Sequence, residues 1–116
     1  MATVAECEAA LHVLAARLAG ASAETQAKAD VDRSVTCTLR DLKVVFAGRL
    51  KAGQLIDIHE QPEGSGAAEA QVRMAMSSDD LIKLVDGELH LAAAFATGRV
   101  RVDASVRDLL RLRSVF

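Results

Sequence analysis

Ser34-Val35-Thr36-Cys37-Thr38-Leu39-Arg40 sets Val35, Cys37 and Leu39 at every second position against Thr36, Thr38 and Arg40. A period of two sends one set of side chains to a buried face and the other to water, as in a half-buried strand. The rhythm continues, with Leu42, Val44, Phe46 and Leu50 alternating with Lys43, Arg49 and Lys51. Ala52-Gly53 supplies a turn, and Gln54 to Glu60 reads as a third strand. Gln61-Pro62-Glu63-Gly64-Ser65-Gly66 has turn chemistry and no periodicity, so it reads as a loop. Beyond it Gln71, Arg73 and Ala75 alternate with Val72, Met74 and Met76, a fourth strand whose apolar face is rich in thioethers.

Helical spacing flanks this block on both sides. Thr3 followed by Glu6 is a capping-box pair, and Val4, Cys7, Leu11, Leu14 and Leu18 then recur at threes and fours up to Gly20, predicting a helix from about Val4 to Ala19. Its other side carries Ala5, Ala9, Ala16 and Ala19, with Glu6, His12 and Arg17 to hold water. That face is either simply exposed or covered by a second copy, in a homodimer through helix 4–19. Ala23 to Asp32 reads as a second short helix.

Toward the C-terminus, Ser77-Ser78-Asp79-Asp80 offers a cap and first-turn carboxylates, and Gly87 closes the helix. Leu81, Ile82, Leu84 and Val85 spread over roughly 160° of it at 100° per residue, wider than one sheet contact requires. Leu91 to Ala96 has no polar side chain and predicts a short helix buried on all sides, ending at Gly98. Val100 and Val102 alternate with Arg99, Arg101 and Asp103 as a fifth strand, and Ser105 starts a helix running to Phe116. Strands gathered between helices imply an α+β domain, with a mostly antiparallel five-stranded sheet and helices packed on one face.

With 116 residues, the chain fits one domain that buries roughly two thirds of its unfolded surface. We take 1–116 as that domain and 1–33 as its helical N-terminal extension. Fourteen Lys and Arg against 16 Asp and Glu, net −2, give no basic excess to neutralise phosphates, and three Phe with no Trp or Tyr offer little stacking surface. Nucleic acid is therefore not an expected partner. Cys7 and Cys37 lie far apart in sequence and read as small core residues in a reducing compartment. Neither zinc nor a disulfide framework is expected. His12 and Arg17 interrupt the only long apolar-looking stretch, the N-terminus lacks a basic start, and Ser114-Val115-Phe116 is not a peroxisomal address. These features predict a soluble cytoplasmic protein.

Catalytic templates fail in turn. Gly64-Ser65-Gly66 has Glu69 where a dinucleotide fingerprint needs glycine, and Gly20-Ala21-Ser22-Ala23-Glu24 misses a nucleophile elbow at its last position. Asp57 and His59, two apart on a strand, could share a face as an oriented base or as two metal ligands. The plainer reading is a solvent-facing Asp-x-His with Ile56 and Ile58 on the other face. His12 and His90 are isolated. With no third ligand, nucleophile or oxyanion donor in view, the sequence predicts no enzyme, no cofactor and no metal.

What stands out is apolar surplus, which either fills a solid core or lines a cavity for an apolar guest. Phe46, Met74 and Met76 are candidates for such a lining. On the last helix Val106, Leu109, Leu110, Leu112 and Phe116 form one face, and Arg107, Arg111 and Ser114 the other, while Arg113 falls within the apolar face. Arg113 either snorkels to water or waits at a cavity mouth for the carboxylate or phosphate of an amphipathic ligand. Arg99, Arg101, Arg107, Arg111 and Arg113 make this end locally basic, as a solvated face or for transient contact with a membrane surface.

Ser77-Ser78-Asp79-Asp80-Leu81, followed by Leu84, Gly87, Leu89, Ala94-Phe95, Gly98-Arg99-Val100 and the Leu109 to Phe116 helix, resembles the C-terminal half of a sterol carrier protein 2 (SCP2) domain. The likeness covers residues 72–116 in residue types and spacing, 34–71 in strand rhythm and loop position, and 1–33 only in being helical. It implies five strands and several helices enclosing a hydrophobic tunnel, and a role in holding lipids such as fatty acids, acyl-CoA, isoprenoids or sterols without turnover. It further implies Leu81, Leu84, Val85, Leu91, Phe95, Leu109, Leu112 and Phe116 as tunnel-side residues. The alanine- and arginine-rich composition suits a bacterial member, for which acyl chains or isoprenoids are the safer ligands. The alternative is an SCP2-like dimerisation or enzyme-docking module with a collapsed cavity.

Overall fold

Thr3 Oγ1 accepts the Glu6 N–H and Glu6 Oε1 accepts the Thr3 N–H, each at 3.1 Å, so the capping box forms and α1 (Val4–Ala19) starts as expected. In this computed structural model, residues 1–20, 23–28, 32–62 and 70–115 are described, with the backbone alone at 25–26, 28 and 111–115. Helix α1 buries Cys7, Ala10, Leu11 and Leu18, while Val4 and Leu14 are half-buried and Ala5, Ala9, Ala16 and Ala19 are exposed. Of the expected Ala23–Asp32 helix, α2 covers Ala23–Lys28 and Asp32 is not helical, while residues 29–31 lie outside the described residues.

Strands β1 (Arg33–Leu39), β2 (Val44–Lys51), β3 (Gln54–Pro62), β4 (Val72–Met76) and β5 (Arg101–Asp103) form one sheet in the order β3-β2-β1-β4-β5. Strand β1 runs parallel to β4, and the other pairs are antiparallel. This is the expected α+β, mostly antiparallel sheet, with a parallel pair at its centre. Asp41 to Lys43 are a turn rather than strand: the Lys43 N–H donates to the Leu39 carbonyl at 2.9 Å and Lys43 adopts a positive φ of 55°. At Ala52-Gly53 both residues have positive φ, 52° and 75°, the mirror-image turn whose twist suits a two-residue hairpin. Gln61 and Pro62, expected in a loop, extend β3, where an edge position tolerates proline; residues 63–66 lie outside the described residues.

In register, Cys37 stands between Phe46 and Met74, and Met74 stands opposite Val102. This row and its neighbours Leu39 and Met76 face α1 and α3 (Ser78–Val85), packing with Cys7, Ala10, Leu11, Leu81 and Val85 into the main core. A smaller cluster joins Leu18 and Leu50 with Val35 and Leu55. The reverse face is drier than alternation suggested, since Thr36 and Val45 are also buried there.

Helix α3 starts at an N-cap Ser77, whose Oγ accepts the Asp80 N–H at 3.2 Å, and Gly87, at φ 81°, turns the chain away just beyond its end. Helix α4 (Leu91–Ala96) departs from expectation, because among its residues only Ala94 is buried and Phe95 is 52% exposed. Lack of polar side chains does not force burial here. Most of the segment is alanine, whose single methyl loses little by staying wet. Helix α5 (Val106–Val115) begins after Ser105, whose Oγ accepts the Asp108 N–H at 3.2 Å. Buried Asp108 receives Arg33 Nε at 3.0 Å, tying α5 to the start of β1.

Candidate functional site

Between the sheet and α3 lies the apolar layer that sequence singled out. Phe46, Met76, Leu81 and Val85 are buried within the core, and Met74, Leu84 and Leu91 are half-buried against it. Leu109 is half-buried on α5. Phe95 is apart from this group, with half its surface in water. The side chains of Leu112 and Arg113, and the whole of Phe116, lie outside the described residues.

Polar groups frame this layer at the α3 N-terminus. Ser78 is fully buried, accepting the Ala2 N–H at 3.1 Å and donating its hydroxyl to Asp41 Oδ2 at 2.6 Å. The Ser78 hydroxyl bond, outweighing the small cost of burial, holds the Asp41 carboxyl below its ordinary range. Asp80 is buried and takes Arg99 Nη2 at 2.6 Å. Arg17 caps the far end by donating to the Val85 carbonyl. Sequence reasoning read Asp79 and Asp80 only as first-turn carboxylates; the Asp80 partner, nineteen residues on, leaves no local signal.

Asp57 and His59 do not make a carboxylate–imidazole pair. His59 Nδ1 donates to the Asp57 backbone carbonyl at 2.6 Å, and its Nε2 lies 3.1 Å from Gln61 Nε2, which leaves Nε2 the acceptor. Both ring nitrogens are thus engaged by the ring's own strand. A register shift between Ala47 and Arg49 breaks the alternation here, with Asp57 at φ 58°. Ile56 consequently pairs with Arg49 while Ile58 packs on the core, so the two isoleucines do not share a face. Cys7 and Cys37 are buried free thiols, which burial pushes up to about 11 and about 12 respectively.

At the β4–β5 side of the sheet, Arg40, Ala75, Phe95, Gly98, Val100 and Arg101 line an open recess of about 560 Å³, of which only Val100 belongs to the main core. Sequence reading missed this grouping. Arg40 and Arg101 each occupied a wet strand position, and only the β1·β4·β5 pairing brings them to one place.

Residues 56–116 match the SCP-2 sterol transfer family. A crystal structure of sterol carrier protein 2 is similar at TM-score 0.68 and 17% identity, over 92% of this chain and 87% of that one. Palmitated SCP2L2 from Aedes aegypti is similar at TM-score 0.64 and 14% identity, over 93% of this chain and 91% of that one. The stereoselective inverting sec-alkylsulfatase Pisa1 from Pseudomonas sp. matches at TM-score 0.57 and 22% identity, over 78% of this chain but only 14% of the enzyme. No curated protein matches the chain.

Proposed function

From the premise that the chain belongs to the SCP-2 sterol transfer family, we propose that it is a non-enzymatic carrier holding a hydrophobic ligand between its sheet and α3. The observation that carries this reading is the gradation of burial across one apolar layer. Phe46, Met76, Leu81 and Val85 form a closed floor, while Met74, Leu84 and Leu91 remain half-buried beside them. Such residues can turn from one another toward a guest, and thioethers adapt well to irregular shapes. Each acyl methylene received there would contribute about 0.8 kcal/mol of burial.

The ligand is a fatty acid, acyl-CoA, isoprenoid or sterol-like molecule. The palmitated relative supports an acyl chain as the first choice. Delivery would be a cytoplasmic exchange with transient contact at a membrane surface; among the described residues no helix is long and apolar enough to cross a membrane. Native mass spectrometry of the purified protein tests the reading. Co-purified lipid, or uptake of a fluorescent fatty acid, is the expected result. An empty protein that takes up no fatty acid refutes it.

A second reading treats the domain as an enzyme-docking or dimerising module with a collapsed cavity. The likeness to a short part of a much longer alkylsulfatase favours it, and the exposed alanine side of α1 offers a surface for a second copy. An empty dimer in the same spectrum would select this reading.

A further inference from the structure

We infer that the recess beside β4 and β5 is a separate binding site for a small organic anion, a carboxylate or phosphate carried on an apolar body. Ala75 pairs with Arg101 across β4 and β5 and forms its floor. Met74 and Val102, one position along, pack into the core, so by strand alternation the Ala75–Arg101 row points to the opposite face from the proposed lipid layer. Val100 is the one recess residue within that core, so the two sites are separated experimentally at Arg40, Phe95 and Arg101 on one side and Leu84 on the other.

Arg40 is held in place twice, its N–H on the Met76 carbonyl at 3.1 Å and its Nη2 on the Ala75 carbonyl at 3.1 Å. Among the described residues no carboxylate pairs with it. Arg101 gives its Nε to Asp103 at 3.1 Å. A guanidinium carries five N–H donors, so both arginines keep donors for a ligand, and a planar fork suits carboxylate or phosphate oxygens. The apolar wall is Phe95, whose 52% exposure is otherwise unrewarded. Gly98 adds no side chain, and a Cβ built there meets nothing within 4 Å, which leaves the mouth open. The volume, about 560 Å³, lies within the range of small-molecule sites.

The test is titration of the full chain with phenyl phosphate and phenylacetate, alongside inorganic phosphate and benzyl alcohol, followed by amide NMR shifts. We expect shifts at Ala75, Gly98 and Arg101 with either organic anion, the tighter of the two naming the head group. Arg40→Gln and Arg101→Gln should each weaken binding about tenfold, as loss of a charge-assisted bond does, and Phe95→Ala should weaken the organic anions but not inorganic phosphate. All three side chains are exposed, so the variants should keep wild-type circular dichroism. Absence of shifts at these amides at millimolar ligand, binding unchanged by both arginine variants, or equal binding of benzyl alcohol would each overturn the assignment. So would inorganic phosphate binding as tightly as phenyl phosphate.

Discussion

Ser78 holds Asp41 with two bonds, its N–H to Oδ1 at 2.9 Å and its hydroxyl to Oδ2 at 2.6 Å. The pair joins the turn after β1 to the first residue of α3, so a carboxylate sits against the positive end of the helix dipole. Because the folded carboxyl titrates below its ordinary value of 3.8, the unfolded chain binds more protons between the two values. The contribution is complete above the ordinary value and is lost as pH falls through the lowered one. In acid titrations followed by circular dichroism, Asp41→Asn should flatten this limb of the stability curve. Ser78→Ala, which also strips Ala2 of its acceptor, should cost about 1.5–3 kcal/mol in urea melts.

The two thiols should be silent in the native protein. Raised to about 11 and about 12 by burial, Cys7 and Cys37 hold almost no thiolate at pH 8. Ellman's reagent should release no colour from folded protein and react with both thiols in guanidinium.

Gly48 lies where the β2·β3 register shifts, and a Cβ on it would stand 3.2 Å from the Ile56 carbonyl oxygen. Backbone cannot yield as a flexible side chain does. Gly48→Ala should destabilise by about 1–3 kcal/mol, read as a lower urea midpoint with an unchanged slope.

Ala52 adopts φ 52° in the β2–β3 turn, a conformation that Asn tolerates better than Ala. Ala52→Asn should therefore stabilise by about 0.5–1 kcal/mol and raise Tm by a few degrees in calorimetry.

Leu84→Trp tests the proposed lipid layer. Leu84 is half-buried against the core, so the larger ring should occupy the guest's space while the fold persists. Fatty-acid uptake should fall below detection with circular dichroism unchanged, and undiminished uptake would place the ligand elsewhere.

The features legible in the sequence are those with local causes. The capping box at Thr3 and Glu6, the Ser77 cap, the Ala52-Gly53 turn and the strand rhythm each lie within a few residues and reappear in the fold. Partner choice is different, because strand periodicity is the same whichever neighbour a strand takes. The parallel β1·β4 pair was therefore invisible, as was the meeting of Arg40 with Arg101. At Asp57 the period itself misled, because the register shift reverses the facing of everything on one side of it. Buried Asp108 and Asp80 gave no warning either, since their partners Arg33 and Arg99 are brought in by the tertiary fold.

The sheet order has a consequence for what the family match means. Residues 56–116 contain most of β3 and all of β4 and β5, yet β3 and β4 never touch, because β2 and β1 stand between them. Ancestry is thus readable in a segment that lacks its own centre. Expressed alone, that segment would present β4 with an open edge where β1 belongs, an invitation to pair with other chains. Supplied in trans, the segment ending at Lys51 should be able to complete it, as two halves of one sheet.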